Sequence, residues 1–502
     1  MLRHRFAALL IVVLLICPSI IAFPGAVASA APAVKTGEIG GVAYKIEVPD
    51  PWNGTLVLYS HGSVFPGDPN PAADAPNAAT GAYLLGQGYA LAGSAYRRTG
   101  WSLDDAFTDQ PALLDFFATQ YGAPKRTIAW GTSLGGMITA GLLQKFPTRF
   151  AAGLPMCGLL GGGVAQWNLR LDSMFVLKTL IAPNADLPLV HLTDPAGSAK
   201  QAEALINQAQ TTPAGRARIA FAAAVWNTPG WFDRLAPEPA ATDYAAREQA
   251  QLQWTLTSMF PYAFVRHAEL ESRAGGNPAW NTGVDYRQLL AGSVDAAEVA
   301  ALYQTAGIKL DDDLTTLAQA PRITNDPQAT AYLAQNILYN GQIAAPVLSL
   351  HTIGDGQQPV QQEQAYADVV NAAGHGDLLR QVFIHRAGHC AFTSGEMIAA
   401  FQHLVNRLDT GAWNASGPTD QLLNAAANAL DPGLNTLSGA DNKPVATPAA
   451  FAAFQPTAFL RPFDARSQLP AVPAPNPVPA PAPGPSAPQT GGAYFIRRLG
   501  DG

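Results

Sequence analysis

The sequence predicts an α/β fold: a mostly parallel central sheet interrupted by a large helical insertion. Three observations lead there. Short apolar runs alternate with segments of helical period from residue 37 to 157 and again from 345 to 408, the pattern of strand–helix–strand units whose helices cover both faces of a sheet. Gly131-Thr132-Ser133-Leu134-Gly135 stands between one such run and one such helix. Residues 158–344 lose the alternation and carry helical spacing throughout.

Val42, Tyr44, Ile46 and Val48 alternate and predict one strand over 37–48, followed by a turn from Pro49 to Gly54. Leu56-Val57-Leu58-Tyr59 is apolar without alternation, as expected of a strand covered on both faces. It runs into Ser60-His61-Gly62-Ser63 and a loop rich in Pro, Asp and Asn reaching Ala79. A helix closes over Tyr83–Gly88, and Tyr89–Ser94 is a strand ending at Tyr96-Arg97-Arg98. Leu113, Phe116 and Phe117 give one apolar face to a helix over 105–121. Thr127–Trp130 is a strand, Met137–Phe146 a helix stopped by Pro147, and Ala151–Met156 a strand ending at Cys157.

Within 158–344 the helical stretches are Val164–Ile181, Ala199–Gln210, Ala214–Trp226, Asp243–Glu271 and Ala296–Thr305. The segment reads as a cap, its aromatics mostly its own core and a few lining an apolar pocket. Asp311-Asp312-Asp313 lacks the alternation and closing Glu of a calcium loop and reads as a solvated helix start. The sheet resumes at 345–351; a helix over Gln361–Ala373, a strand over Leu379–Ile384 and a helix over Glu396–Leu408 complete the core units 31–157 and 345–411. Residues 412–468 hold a further helix near Leu422–Leu430 and an apolar stretch from Phe451 to Phe463 that packs on the core. Residues 469–502, dominated by Pro and Ala, form an extended tail.

Composition narrows the function classes. The 502-residue chain is 48% hydrophobic and carries a formal charge of −7 with no basic stripe, which argues against a nucleic-acid partner. Residues 1–30 have the form of a secretory signal: Arg3 and Arg5, an apolar run from Phe6 to Ile16, and Ala28-Ser29-Ala30, with cleavage after Ala30. The alternative is an uncleaved anchor, against which Pro18 and Pro24 stand. No other stretch is long and apolar enough to span a membrane. Of three cysteines, Cys17 departs with the signal; Cys157 and Cys390, in an oxidising compartment, favour one disulfide over two free thiols.

The chemistry centres on Ser133. A serine hydroxyl needs a base, a group to orient that base, and donors for the developing oxyanion. G-x-S-x-G between strand and helix holds the nucleophile on a tight turn. His389, in the loop after the last core strand, is the expected base, with His385 second; His351 reads as a satisfied core histidine. Asp355, after the strand that begins near Val347, is the expected acid, and the order Ser–Asp–His is the one the turn motif requires. The oxyanion donors are the N–H of Leu134 and one from the loop after Leu56–Tyr59, Ser63 before Val64, with His61 bracing that loop. No metal site and no cofactor is called for.

His61-Gly62, the Ser133 pentapeptide, Gly354-Asp355 and Gly388-His389 together resemble the α/β-hydrolase superfamily over 37–157 and 345–408. The resemblance implies that fold and a hydrolytic mechanism, and says little about substrate. His389-Cys390 is also similar to secreted tannases and feruloyl esterases, in which a disulfide ties the nucleophile and histidine loops. Those enzymes place a cysteine immediately before the serine, where this chain has Thr132. Cys157 is the local substitute, so the resemblance implies a Cys157–Cys390 disulfide pinning the His389 loop. The leading reading is a secreted serine hydrolase of small or polymeric carboxylic esters. A peptidase of the same fold would need a carboxylate for a substrate amine, with Glu248, Glu269 and Glu271 on hand in the insertion. A non-catalytic binding protein is the third reading, and a complete triad speaks against it.

Overall fold

The computed structural model describes residues 30–413 and 419–463, so the expected signal peptide, except Ala30, and the Pro/Ala tail lie outside the described residues. A nine-stranded sheet forms the centre. Its strands are β1 (Ala30–Ile39), β2 (Val42–Asp50), β3 (Thr55–Ser60), β4 (Ala90–Ser94), β5 (Arg126–Thr132), β6 (Ala152–Met156), β7 (Val347–Gly354) and β8 (Leu379–Ala387), with a short last strand at Phe451–Ala452. The spatial order is β1-β2-β4-β3-β5-β6-β7-β8 and then Phe451–Ala452. From β4 to β8 every pairing is parallel, while β1, β2 and the last strand pair antiparallel at the edges.

The strand expected over 37–48 is a hairpin instead. Gly40 and Gly41 both take positive φ (58° and 82°), so the chain reverses and β1 pairs back on β2. Two glycines free to adopt that conformation make a tight turn whose twist suits the flanking strands. The alternation runs on both sides of the pair, so periodicity alone does not mark the break.

The central strands are buried on both faces. Leu56 and Leu58 of β3 join one core cluster and Val57 and Tyr59 the other. On one face lie α1 (Ala78–Gly86) and, after the insertion, a helix at Ser394–Thr410 with a capping box at Thr393 and Glu396. On the other lie α2 (Leu103–Tyr121) and α3 (Leu134–Lys145). Between β6 and β7 the chain is helical: α4 (Gly163–Ile181), α5 (Pro195–Ala209), α6 (Pro213–Trp226), α7 (Tyr244–Trp254), α8 (His267–Ala274), α9 (Tyr286–Gly292), α10 (Ala296–Ala306), α11 (Leu310–Gln319) and α12 (Pro327–Asn336). Between α7 and α8 the coil widens into two π-helical turns, Thr255–Met259 and Tyr262–Arg266, on either side of Phe260-Pro261. Proline cannot donate the α-helical hydrogen bond, and a wider turn accommodates the lost donor.

The acidic run at the start of α11 is only partly solvated. Asp311 and Asp312 are exposed, but Asp313 is buried and takes both Arg218 (2.7 and 2.9 Å) and the Tyr303 hydroxyl (2.8 Å). Sequence spacing gives no hint of it, because both partners come from other helices.

From β3 the chain passes to β4 on one side and then to β5 on the other. Where strand order reverses in this way, the loops leaving neighbouring strand ends part and open a crevice. His61-Gly62-Ser63 and Ser133 leave the sheet at that point.

Candidate active site

Ser133 is the tip of the turn between β5 and α3, with φ 58° and ψ −122°. For a residue with a Cβ this backbone costs about 1–3 kcal/mol and persists only where its surroundings enforce it. The enforcement is visible. Ser133 N–H donates to Met156 O (2.9 Å) and contacts Cys157 Sγ (3.3 Å). A Cβ at Gly135 would lie 1.9 Å from Ser60 O, and one at Gly131 would lie 2.4 Å from Gly135 O. Both positions of the motif therefore require glycine so that strand, turn and helix fit against β3. Leu134 opens α3, where the first N–H groups have no partner within the helix.

The structure brings Ser133, His389 and Asp355 together. Ser133 Oγ lies 2.8 Å from His389 Nε2, and His389 Nδ1 lies 2.7 Å from Asp355 Oδ2. Asp355 is fully buried, and its other oxygen accepts N–H bonds from Gln357 and Gln358, each at 2.9 Å. The carboxylate is thus fixed in rotation, with one oxygen left for the imidazole. His385 is turned away, half exposed, and pairs with Glu238 at 3.0 Å.

His351 is buried beside this relay. Its ring touches Glu363 (3.1 Å) and Gln358 O (2.9 Å), and Nε2 is 3.6 Å from Asp355 Oδ2. Burial alone would lower its pKa, but the Glu363 hydrogen bond and the charges of Glu363 and Asp355 outweigh burial and raise it. His351 is satisfied in the core, with its ring beside Asp355.

His61 lies at the end of β3 with both ring nitrogens against backbone carbonyls, Gly62 O at 2.7 Å and Ala95 O at 3.0 Å. It stacks on Tyr96 at 4.1 Å between ring centres. Burial lowers its pKa, more strongly than the two carbonyls raise it. These contacts fix the loop that carries Gly62 against Ser133, close enough that a Cβ on Gly62 would sit 3.4 Å from Ser133 Cβ.

Cys157 and Cys390 form a disulfide with 5.4 Å between α-carbons. It joins the residue that touches Ser133 N to the residue after His389, and Cys390 Sγ is 3.4 Å from His389 Nε2. The two sulfurs and the imidazole cluster within 4.8 Å. With the sulfurs bonded to each other, the cluster offers no thiolate to a metal.

A cleft opens beside Ser133. Ser63 and Leu134 line it from the core, and Trp167, Tyr262, Arg266 and Glu269 from the insertion. A few aromatics of the insertion were expected to line the pocket, and Trp167 and Tyr262 do; Arg266 was not singled out. The available signal was Pro261 inside the long helical stretch 243–271. A proline there marks a local widening, and Tyr262 and Arg266 follow it. Arg266 Nη1 donates to Ser63 Oγ. Glu269 reaches the cleft already engaged, by Arg273 (2.7 Å) and by Trp101 N–H (2.9 Å). Glu248 binds Gln210 (3.0 Å), and Glu271 binds the N–H groups of His191 (2.6 Å) and Leu192 (3.1 Å).

Known proteins are similar to this chain in sequence and in fold. An o-phthalyl amidase of Xanthobacter agilis is 31% identical over 433 residues, covering 79% of this chain and 92% of that protein. Among solved structures, an esterase from Aspergillus oryzae aligns with a TM-score of 0.40 at 12% identity, over 75% of this chain and 79% of that one. Feruloyl esterase B from the same organism aligns at 0.38 and 13%, over 77% and 81%. Acylaminoacyl peptidase from Pyrococcus horikoshii aligns at 0.36 and 11%, over 79% of this chain and 44% of that one. A sequence model of the tannase-like family of unknown function matches residues 41–396, from β2 through the His389 loop. With an α/β-hydrolase sheet and that match over most of its length, the chain belongs to the tannase-like family.

Proposed function

We propose that this protein is a serine hydrolase that cleaves carboxylic acyl bonds through an acyl-enzyme. The observation that carries the reading is the continuous relay Ser133 Oγ–His389–Asp355 at 2.8 and 2.7 Å, on a strained turn that exposes the hydroxyl to a cleft. Ser133 Oγ attacks the carbonyl carbon as its proton passes to His389 Nε2, and the carbonyl π electrons move onto oxygen. The oxyanion is received by Leu134 N–H together with the Ser63 loop. His389 then protonates the leaving group as the carbon–heteroatom bond breaks. Water then adds to the acyl carbon as it gives a proton to the same nitrogen, the carbon–Oγ bond breaks to release the acid, and Ser133 Oγ takes that proton back from His389. Asp355 holds the imidazole with Nδ1–H towards it and stabilises the imidazolium between steps.

Esters are the first reading of substrate. Amides of aromatic acids are the second, favoured by the 31% identical relative named an o-phthalyl amidase. The peptidase reading is weakened because Glu269, the one of Glu248, Glu269 and Glu271 that lines the cleft, is already held by Arg273 and the Trp101 N–H. The non-catalytic reading is weakened by the intact relay. The disulfide supports an oxidising, extracellular setting. Among the described residues no helix is long and apolar enough to cross a membrane.

The test is turnover of an aryl ester and an anilide by the protein and by Ser133→Ala. Loss of at least about a thousandfold in the variant is expected. Turnover unaffected by the substitution refutes the mechanism.

A further inference from the structure

Two arginines of the insertion are buried beside the cleft without an acid. Arg170, on α4, is 2% exposed and Arg266 is 7% exposed. Arg170 lies over the rings of Trp226 (4.4 Å) and Tyr262 (4.8 Å), and Arg266 over Phe65 (3.9 Å) and the same Tyr262 (4.4 Å). Arg170 finds only Met259 Sδ (3.4 Å) and Gln357 O (3.5 Å) for its other nitrogens, and Arg266 finds Ser63 Oγ. Among the described residues neither forms an ion pair. Other buried arginines here do: Arg386 takes Glu396, and Arg273 takes Glu269 and Asp105. Burying a guanidinium without a counter-charge costs several kcal/mol, and aromatic faces offset only about 1–2 of it. Burial pushes the Arg170 pKa down to about 9, Tyr262 opposing and the neighbouring Arg266 adding to the fall.

The unmet hydrogen bonds at the cleft share one polarity. Arg266 Nε, Trp101 Nε1, Trp167 Nε1 and Gln358 Nε2 are buried N–H donors with no acceptor, and all four residues line the cleft with Ser133. The opposing group is the Glu269 carboxylate, neutralised by Arg273 and the Trp101 N–H. Orphan donors on the residues around the cleft, with two unpaired cations beside them, call for acceptors and negative charge from a ligand. Its apolar walls, Trp101, Trp167, Leu159 and Tyr262, suit a flat ring.

Resting on the hydrolase reading above, we infer that the cleft binds the carboxylate of an acidic aromatic acyl group, with Arg266 as its direct partner and Arg170 behind it. Arg266 reaches Ser63, in the loop that receives the oxyanion, so an acid group on the ring sits next to the scissile carbonyl. This makes Arg266 a specificity determinant and fixes which half of the substrate carries the charge.

The experiment compares kcat/KM for three esters, each corrected for uncatalysed hydrolysis. They are the phenyl half-ester of benzene-1,2-dicarboxylic acid, phenyl benzoate, and 3-carboxyphenyl benzoate, which carries the charge on the leaving group. The first is expected to exceed the second, and Arg266→Gln is expected to cut that ratio about ten- to a hundredfold, with Arg266→Lys retaining part of it. An unchanged ratio in Arg266→Gln, or a preference confined to the third ester, overturns the inference. As a measurement independent of turnover, calorimetry on Ser133→Ala compares 2-carboxybenzamide with benzamide. Tighter binding of the carboxylated probe, lost when Arg266→Gln is added, supports the site; equal binding refutes it. Absence of Ser133-dependent turnover for every ester would count against the hydrolase reading alone, and the calorimetry would still decide the carboxylate site.

Discussion

Replacing Cys157 and Cys390 together by alanine should damage stability and catalysis by separable amounts. The disulfide closes a loop with a sequence separation of 233 residues. Chain entropy for a loop of that length sets a ceiling of about 5 kcal/mol on the stability lost. Native disulfides usually deliver less than that ceiling, and a loss of about 2–4 kcal/mol is expected, measured by urea unfolding of the oxidised protein and the double variant. The catalytic effect has a different origin. Cys157 Sγ touches Ser133 N and Cys390 Sγ touches His389 Nε2, so the bridge spans the back of the nucleophile–base pair. Without it the His389 loop is tied only by contacts such as Gly388 N–H to Gly354 O. A fall in kcat of about tenfold or more is expected at temperatures where the variant is still folded, with KM changing less. Unfolding and kcat both unchanged would refute the argument that this bond positions the base.

Two further outcomes follow from the same structure. Asp355→Asn should keep the fold, because the side-chain oxygen can still accept from Gln357 and Gln358, yet lose about a thousandfold or more in kcat as the imidazole loses its charged partner; a loss under tenfold would remove Asp355 from the mechanism. Glu298 is buried near Asp295 and Arg247, and burial first, then the Asp295 charge, raises its pKa to about 7 against the opposing pull of Arg247. The folded state thus binds this proton more tightly than the unfolded chain. Its contribution is present below the unfolded value near 4.5 and is lost as pH rises through about 7. Glu298→Gln should therefore gain on the wild type in Tm between pH 5 and pH 8, and parallel Tm curves would refute it.

Much of the site was legible because it depends on local geometry. A strand, a glycine-flanked serine and a helix specify the turn at Ser133, and chain order then leaves few positions for an acid and a base at strand ends. Asp355 and His389 could be named because each follows a strand with an apolar core, although β7 and β8 run three residues beyond the expected ends, to Gly354 and Ala387. Cys157 and Cys390 could be paired because few cysteines exist. The hairpin at Gly40-Gly41 was missed because alternation continues through it, and the burial of Asp313 because Arg218 and Tyr303 reach it from other helices.

By itself, the sequence determined the α/β class with a mostly parallel sheet, and it singled out Ser133, Asp355 and His389, which the structure brings within hydrogen-bond distance. The class and the Ser133 turn follow from period and turn chemistry, which are short-range, and the acid and base were picked out by their order along the chain. Tertiary structure alone decided what surrounds them. Arg170 and Arg266 lie on different helical segments, separated by nearly a hundred residues of sequence, and meet over one ring, Tyr262. Glu269, which the sequence offered as an anchor for a substrate amine, reaches the cleft already bound to Arg273 and Trp101. Whether a charged side chain has a partner depends on how helices pack, and packing joins residues that no periodicity relates.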